Sequence, residues 1–107
     1  MVRVRVDLPL FFLPNEAFCS VSGEIDVDTL PKEGEVFPWP RLWIKNGPAY
    51  LAEANQSRVW GVSEWELSDA KFLVTMFGFV CESVSDARDC AAFFRQTGGF
   101  EVVEYRT

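Results

Sequence analysis

The most constraining feature of the sequence is a strand, a helix and a second strand predicted in succession in its last third. The segment Lys71–Cys81 is apolar at nearly every position, which is typical of a strand covered on both faces and predicts the central strand of a sheet. A helical pattern follows, and Gly98-Gly99 offers the left-handed conformation that ends a helix. Phe100–Tyr105 then returns to an extended pattern, so a final strand is expected after the helix.

The predicted helix covers about residues 84–97. Ser83 or Ser85 can cap its start, because a serine oxygen accepts hydrogen bonds from the N–H groups of the first turn. The spacing divides the helix into an apolar face of Ala87, Cys90, Ala91 and Phe94 and a polar face of Arg88, Arg95 and Gln96. The helix is therefore expected to pack with one face against a sheet.

Two further strands are predicted near the start of the chain from alternating residue types. The first alternates Val2, Val4, Val6 and Leu8 with Arg3, Arg5 and Asp7. Pro9 is expected to stop it, because proline lacks a backbone N–H. The second begins near Phe18 and places Glu24, Asp26 and Asp28 on its outer face. Each strand should thus turn one face to the core and the other to water.

The residue pattern in the middle of the chain predicts shorter extended segments. The prolines of Val36–Trp43 confine that segment to a sheet edge or an extended connection. Brief strand pairing is expected at Leu42–Lys45. Arg58–Trp65 is predicted to form a strand because of its valines and tryptophans. Because the strands mostly precede the helix, we predict a single α+β domain over residues 1–107. It would contain a mostly antiparallel sheet of about five or six strands, with the helix on one face and a final strand after it.

The composition indicates a folded domain in a reducing compartment. Hydrophobic residues make up 49% of the chain and aromatic residues 15%, which is ample for a core. Neither a membrane span nor a signal peptide is expected, since no apolar run is long enough and the start alternates charge with valine. Cys19, Cys81 and Cys90 are odd in number and form no CxxC pair, which favours a bacterial-type cytoplasm.

Most catalytic chemistry lacks its usual residues in this chain. There is no histidine, which removes the commonest general base and the commonest metal ligand. No glycine-rich phosphate loop precedes a helix, and the cysteines are predicted to be buried thiols. Neighbours among Glu24, Asp26 and Asp28 would lie about 6.5–7 Å apart along a strand, too far to share one ion comfortably. We therefore predict no catalytic residue, no metal site and no cofactor.

Two adjacent features favour protein binding. The net charge of −6 disfavours nucleic acid and anionic lipid. Acidity is concentrated in a short stretch that contains Glu24, Asp26, Asp28, Glu33 and Glu35 and is opposed only by Lys32. Immediately after it come Trp39, Arg41 and Trp43, residue types that dominate the energetics of interfaces. These eight acidic, tryptophan and arginine residues are the predicted partner-binding residues, and burial of the two tryptophans over a sheet face is the alternative interpretation.

The chain resembles bacterial immunity proteins and antitoxins in general character, because it is small, acidic and without the usual catalytic residues. No sequence motif supports the resemblance. We predict a non-enzymatic cytoplasmic inhibitor that occludes a basic, nuclease-type toxin domain with its acidic surface. One alternative is a small-ligand-binding or catalytic α+β domain with a pocket between the helix and Val36–Trp43. Another is a structural subunit that assembles through an edge strand, and the oligomeric state is left open.

Overall fold

The computed structural model describes residues 1–14 and 16–105, which form one sheet and the helices packed beside it. The strands are Val2–Phe12 (β1), Glu16–Val27 (β2), Val59–Glu64 (β3), Phe72–Met76 (β4), Phe79–Cys81 (β5) and Glu101–Glu104 (β6). The helices are Arg41–Asn46 (α1) and Val84–Gly98 (α2), with a short 3₁₀ turn at Ala49–Leu51.

Strand β1 lies in the middle of the sheet. It pairs antiparallel with β2 on one side and parallel with β4 and β5 on the other. The order is β3-β4-β1-β2-β6, with β5 beside the last residues of β1, and the outer pairs β3·β4 and β2·β6 are antiparallel. Helix α2 packs against β1 and β2. The predicted α+β class is confirmed, with a mixed six-stranded sheet, one long helix near the end and a strand after it.

The strand predicted over Lys71–Cys81 is divided in two, and it is not the centre of the sheet. The break falls at Phe77 and Gly78, where Gly78 has a φ of 109°. A Cβ atom at this glycine would lie 2.7 Å from the carbonyl oxygen of Pro9, so β1 runs very close to the break. The expectation that Pro9 ends β1 is wrong, since β1 continues to Phe12. Proline is tolerated there because the parallel partner is interrupted beside it.

The brief strand pairing expected at Leu42–Lys45 is replaced by helix α1. The carbonyl oxygen of Pro40 accepts hydrogen bonds from the N–H groups of Trp43 and Ile44, at 3.0 and 3.1 Å. Pro40 itself has a ψ of 141° and ends the extended segment before it. The proline therefore opens a helical turn, a role that its fixed φ suits.

The core lies between α2 and the inner face of the sheet. The alternation predicted for β1 and β2 is confirmed by their buried residues, which include Val4, Val6, Leu8, Leu10, Cys19, Val21 and Val27. The predicted apolar face of α2 is confirmed in the same way by Ala87, Cys90, Ala91 and Phe94. The side chain of Ser83 accepts a hydrogen bond from the N–H of Asp86, and Gly99 has a φ of 65°. These two residues set the start and the end of the helix.

Candidate functional site

The predicted partner-binding residues do not form one surface. Glu24 and Asp26 lie within β2, whereas Asp28, Glu33 and Glu35 follow the end of that strand. Arg41 begins α1 and is exposed, but Trp39 and Trp43 turn towards the core. The structure thus separates carboxylates that the sequence groups together.

The carboxylates of Glu24 and Asp26 are paired with arginines of β1. Arg3 donates from Nε to Glu24 Oε1 and from Nη1 to Asp26 Oδ1, both at 3.2 Å, and Arg5 Nη1 lies 3.9 Å from Glu24 Oε2. A hydrogen bond from Ser68 and the pairing with Arg3 hold the pKa of Glu24 below its usual value. Much of the acidity assigned to this strand is therefore balanced by the neighbouring strand.

The loop between β3 and β4 folds beside these ion pairs. Its Trp65 ring lies 5.6 Å from the guanidinium carbon of Arg5, and its Nε1 donates to Ser68 Oγ at 3.0 Å. The backbone N–H of Trp65 donates to the carbonyl of Lys71 at 2.9 Å, which closes the loop. Ser68 Oγ also accepts a hydrogen bond from the N–H of Ala70 at 3.3 Å, so this serine fixes the loop from both sides.

Trp39 is a core residue and is only 3% exposed, so it offers little of its own surface to a partner. Its ring stacks on Trp43 at 5.9 Å between ring centres and meets Phe94 of α2 at 5.4 Å. Trp43 is half-buried and also contacts Phe93 and Phe100 edge-on. These rings fill the space between α2 and residues 36–43, where the alternative ligand pocket was expected.

Hydrogen bonds of Ser57 hold the segment that contains Trp39 in place. This fully buried hydroxyl accepts a hydrogen bond from Trp39 Nε1 at 3.3 Å and lies 2.9 Å from the Tyr50 carbonyl oxygen. The Ser57 carbonyl accepts a hydrogen bond from the N–H of Phe37, and the Glu35 carbonyl accepts one from Val59, both at 2.8 Å. Residues 35–39 are therefore held to the start of β3 along their length.

A groove runs between the end of β2 and this fastened segment. Its smaller part, of about 240 Å³, is lined by Asp28, Thr29, Leu30, Pro31, Glu35, Val36 and Pro38. Its larger part, of about 460 Å³, is lined by Met1, Asp26, Val27, Asp28, Pro38, Trp39, Pro40 and Arg41. The two parts share Asp28 and Pro38, and we call the whole the acidic groove. It brings together Asp26, Asp28, Glu35, Trp39 and Arg41 from the predicted set, and leaves out Glu24, Glu33 and Trp43.

The carboxylates beyond β2 are turned to solvent. Asp28, Glu33 and Glu35 are all exposed, and within residues 1–14 and 16–105 no ion pair includes them. Glu35 accepts a hydrogen bond from the backbone N–H of Lys32 at 2.8 Å, which fixes the turn between these residues. Unlike Glu24 and Asp26, these carboxylates keep their charge available to a partner.

The cysteines form a second group of reactive residue types, and their predicted burial is confirmed. Burial raises the pKa of Cys19 to about 12. A hydrogen bond with Cys81, together with burial, raises the pKa of Cys90. Burial and the hydrogen bond that its hydroxyl donates to Asp86 raise the pKa of Tyr50 as well. Cys19, Cys90 and Tyr50 thus keep their protons near neutral pH.

Comparisons of the chain with protein-family models, with curated proteins and with solved structures found no match. In the described part of the chain, no three cysteine, aspartate or glutamate side chains are grouped to hold a metal ion. No helix among the same residues is both long and apolar enough to cross a membrane. The function is therefore inferred from the protein's own surfaces.

Proposed function

We propose that the protein is a non-enzymatic inhibitor that binds a basic protein partner through the acidic groove, as an immunity protein or antitoxin binds its toxin. The observation that carries this proposal is that Asp28 and Glu35 line an apolar groove and are exposed, outside every ion pair of the described residues, as is Glu33 in the turn before Glu35. Exposed carboxylates of this kind attract a basic surface during approach. The neighbouring apolar walls provide area that a partner can bury.

A nuclease-type toxin is the class of partner that this arrangement fits. Enzymes that bind nucleic acid present lysine and arginine to phosphate groups, and carboxylates placed at similar positions compete for the same cations. The net charge of −6 extends the attraction beyond the groove itself. Covering the basic surface would be sufficient for inhibition, so the inhibitor needs no catalytic group of its own.

The first test is affinity purification of the tagged protein from the cells that make it, washed at low and at moderate salt. We expect one stoichiometric basic protein with nuclease-type or other toxic activity, identified by mass spectrometry. Recovery of the protein alone at both salt concentrations would contradict the proposal.

The second test measures association kinetics with that partner. The triple variant Asp28→Asn, Glu33→Gln and Glu35→Gln should associate several-fold more slowly and with a flatter salt dependence, because steering depends on the unpaired charge. A matched control removes three exposed carboxylates away from the groove, at the start of β2 and on β6, through Glu16→Gln, Glu101→Gln and Glu104→Gln. Equal slowing in both triple variants would assign the effect to net charge and remove the groove from the proposal.

A further inference from the structure

We infer that the smaller part of the acidic groove takes a lysine or arginine side chain from the partner, an inference that rests on the proposed function. Most of its lining residues are apolar, namely Leu30, Pro31, Val36 and Pro38, and the acidic residues Asp28 and Glu35 line it as well. An apolar slot with anionic groups beside it matches a side chain that has an aliphatic stem and a cationic end.

The apolar walls match the stem of such a side chain. Lysine and arginine carry three or four methylene groups that bury well against apolar surface while their charge stays near water. Pro31 is buried at this site, whereas Val36 and Pro38 are exposed, so apolar surface extends from the interior of the slot outwards. A short polar side chain or a metal ion would leave these walls without a contact.

The charges select a cation and exclude an anion. Within the described residues, neither Asp28 nor Glu35 lies in an ion pair, and the lining of the smaller part contains no basic residue. The larger part differs, since Arg41 lies there together with Asp26 and Asp28. A cationic side chain of the partner would therefore enter the smaller part. The larger part would contact the partner residues that neighbour this side chain.

The slot is also held in shape before a partner arrives. The hydrogen bonds of Glu35 with Lys32 and with Val59 fix one wall, and Trp39 and Ser57 fix the segment that continues from it. A preorganised site loses less conformational entropy when its ligand binds. This favours insertion of a partner side chain into a formed slot over folding of a loop around it.

The test uses an acetylated hexa-arginine amide as the probe, titrated into the intact protein at low salt and followed by amide chemical shifts. Hexa-citrulline, which keeps the length and shape but lacks the charge, is the control peptide. We expect hexa-arginine to shift the amides of Thr29, Leu30, Glu35 and Val36 most, and hexa-citrulline to leave them unchanged. Shifts spread evenly over all acidic residues would overturn the inference.

The same titration, repeated with variants of the protein, tests which residues bind hexa-arginine. Asp28→Asn with Glu35→Gln should weaken hexa-arginine binding at least about threefold. Glu101→Gln with Glu104→Gln, at about 20 Å and about 30 Å from Asp28 along β2, should weaken it less than about 1.5-fold. Val36→Thr keeps the shape of the wall and replaces a methyl group by a hydroxyl, so about twofold weaker binding is expected. Equal losses in the two double variants, or no loss in Val36→Thr, would count against a slot with apolar walls.

The outcomes separate this inference from the proposed function. If a basic partner binds and the triple variant at residues 28, 33 and 35 slows it, but hexa-arginine shows no preference for the slot, the proposed function stands and the inference fails. If hexa-arginine binds in the slot but no basic partner is recovered from cells, the slot binds cations and the proposed inhibitor function fails.

Discussion

Two groups of carboxylates lie a few residues apart in the chain and differ completely in their surroundings. Glu24 and Asp26 are inside β2 and face arginines of β1, whereas Asp28, Glu33 and Glu35 follow the strand and lie in no ion pair of the described residues. The first group is neutralised by a neighbouring strand, and the second is presented to solvent. The difference shows that a run of acidic residues becomes an acidic surface only where the fold forms no ion pair with it; Arg58 lies near the second group but donates to the carbonyl oxygen of Gly34 at 2.9 Å.

The largest effect should come from Gly23→Ala, which disturbs β2, the strand that carries Glu24 and Asp26 and ends directly before Asp28. An added Cβ atom at Gly23 would overlap the ring of Phe100, which is itself buried. We expect a loss of about 3 kcal/mol in the free energy of unfolding, measured by urea denaturation. The matched control is Gly61→Ala, where an added Cβ atom meets nothing within 4 Å. Equal losses in the two variants would show that the overlap is not the cause.

A smaller loss is expected from Trp39→Phe, which changes the wall of the groove that Asp28 of the solvent-facing group lines. The substitution removes the hydrogen bond to Ser57 and part of the stack on Trp43, at a cost of about 1–3 kcal/mol in the free energy of unfolding. The control Trp60→Phe changes a side chain that is 59% exposed and should cost less than about 0.5 kcal/mol. Chemical shifts of Arg5 and Glu24 should change less than that of Asp26, because Asp26 lines the groove together with Trp39 and the other two residues do not.

The ion-paired carboxylates should affect how the free energy of unfolding depends on pH. The pKa of Glu24 is lowered in the folded protein, so its contribution is present above the unfolded pKa of about 4.3 and is lost as the pH falls through the folded value. Glu24→Gln should therefore cost less than about 1 kcal/mol at neutral pH, with the difference shrinking below about pH 4. Thermal unfolding between pH 3 and pH 7 measures this, and Glu33→Gln should show a smaller difference.

The smallest effect on stability should come from the triple variant Asp28→Asn, Glu33→Gln and Glu35→Gln. Removing like charges from an acidic protein relieves repulsion, and the glutamine introduced by Glu35→Gln would retain an oxygen that accepts the hydrogen bond from Lys32. We expect the free energy of unfolding to stay within about 0.5 kcal/mol of the wild-type value. A loss above about 1 kcal/mol would mean that these carboxylates stabilise the fold and are not reserved for a partner.

The elements predicted correctly are those whose signals are local. The alternation in β1 and β2 and the spacing of Ala87, Cys90, Ala91 and Phe94 follow from periods of two and 3.6 residues, and these periods identify the buried faces. The cap at Ser83 and the stop at Gly99 are equally local. For these elements, neighbouring residues alone determine the secondary structure and the buried face.

The errors arise where distant segments meet. The ion pairs of Arg3 depend on the register between β1 and β2, which the charges along one strand do not reveal. Pro9 continues a strand because the break at Gly78, far along the chain, lies beside it. The burial of Trp39 depends on α2 and on Ser57, so the sequence alone does not decide whether this tryptophan is buried or exposed. Five of the eight candidate site residues still line one groove, because most of them follow one another in the same connection.

The position of Met1 has a practical consequence for every binding experiment on this protein. Met1 lines the larger part of the acidic groove, so a fusion partner or affinity tag joined ahead of it would emerge beside the proposed binding surface. Tyr105 instead donates its N–H to the carbonyl of Phe18, about 30 Å away along β2 from the end that meets the groove. Tags and immobilisation linkers attached after the last residue would leave the groove open, and a comparison of the two attachment ends would itself report which end of the sheet is occupied.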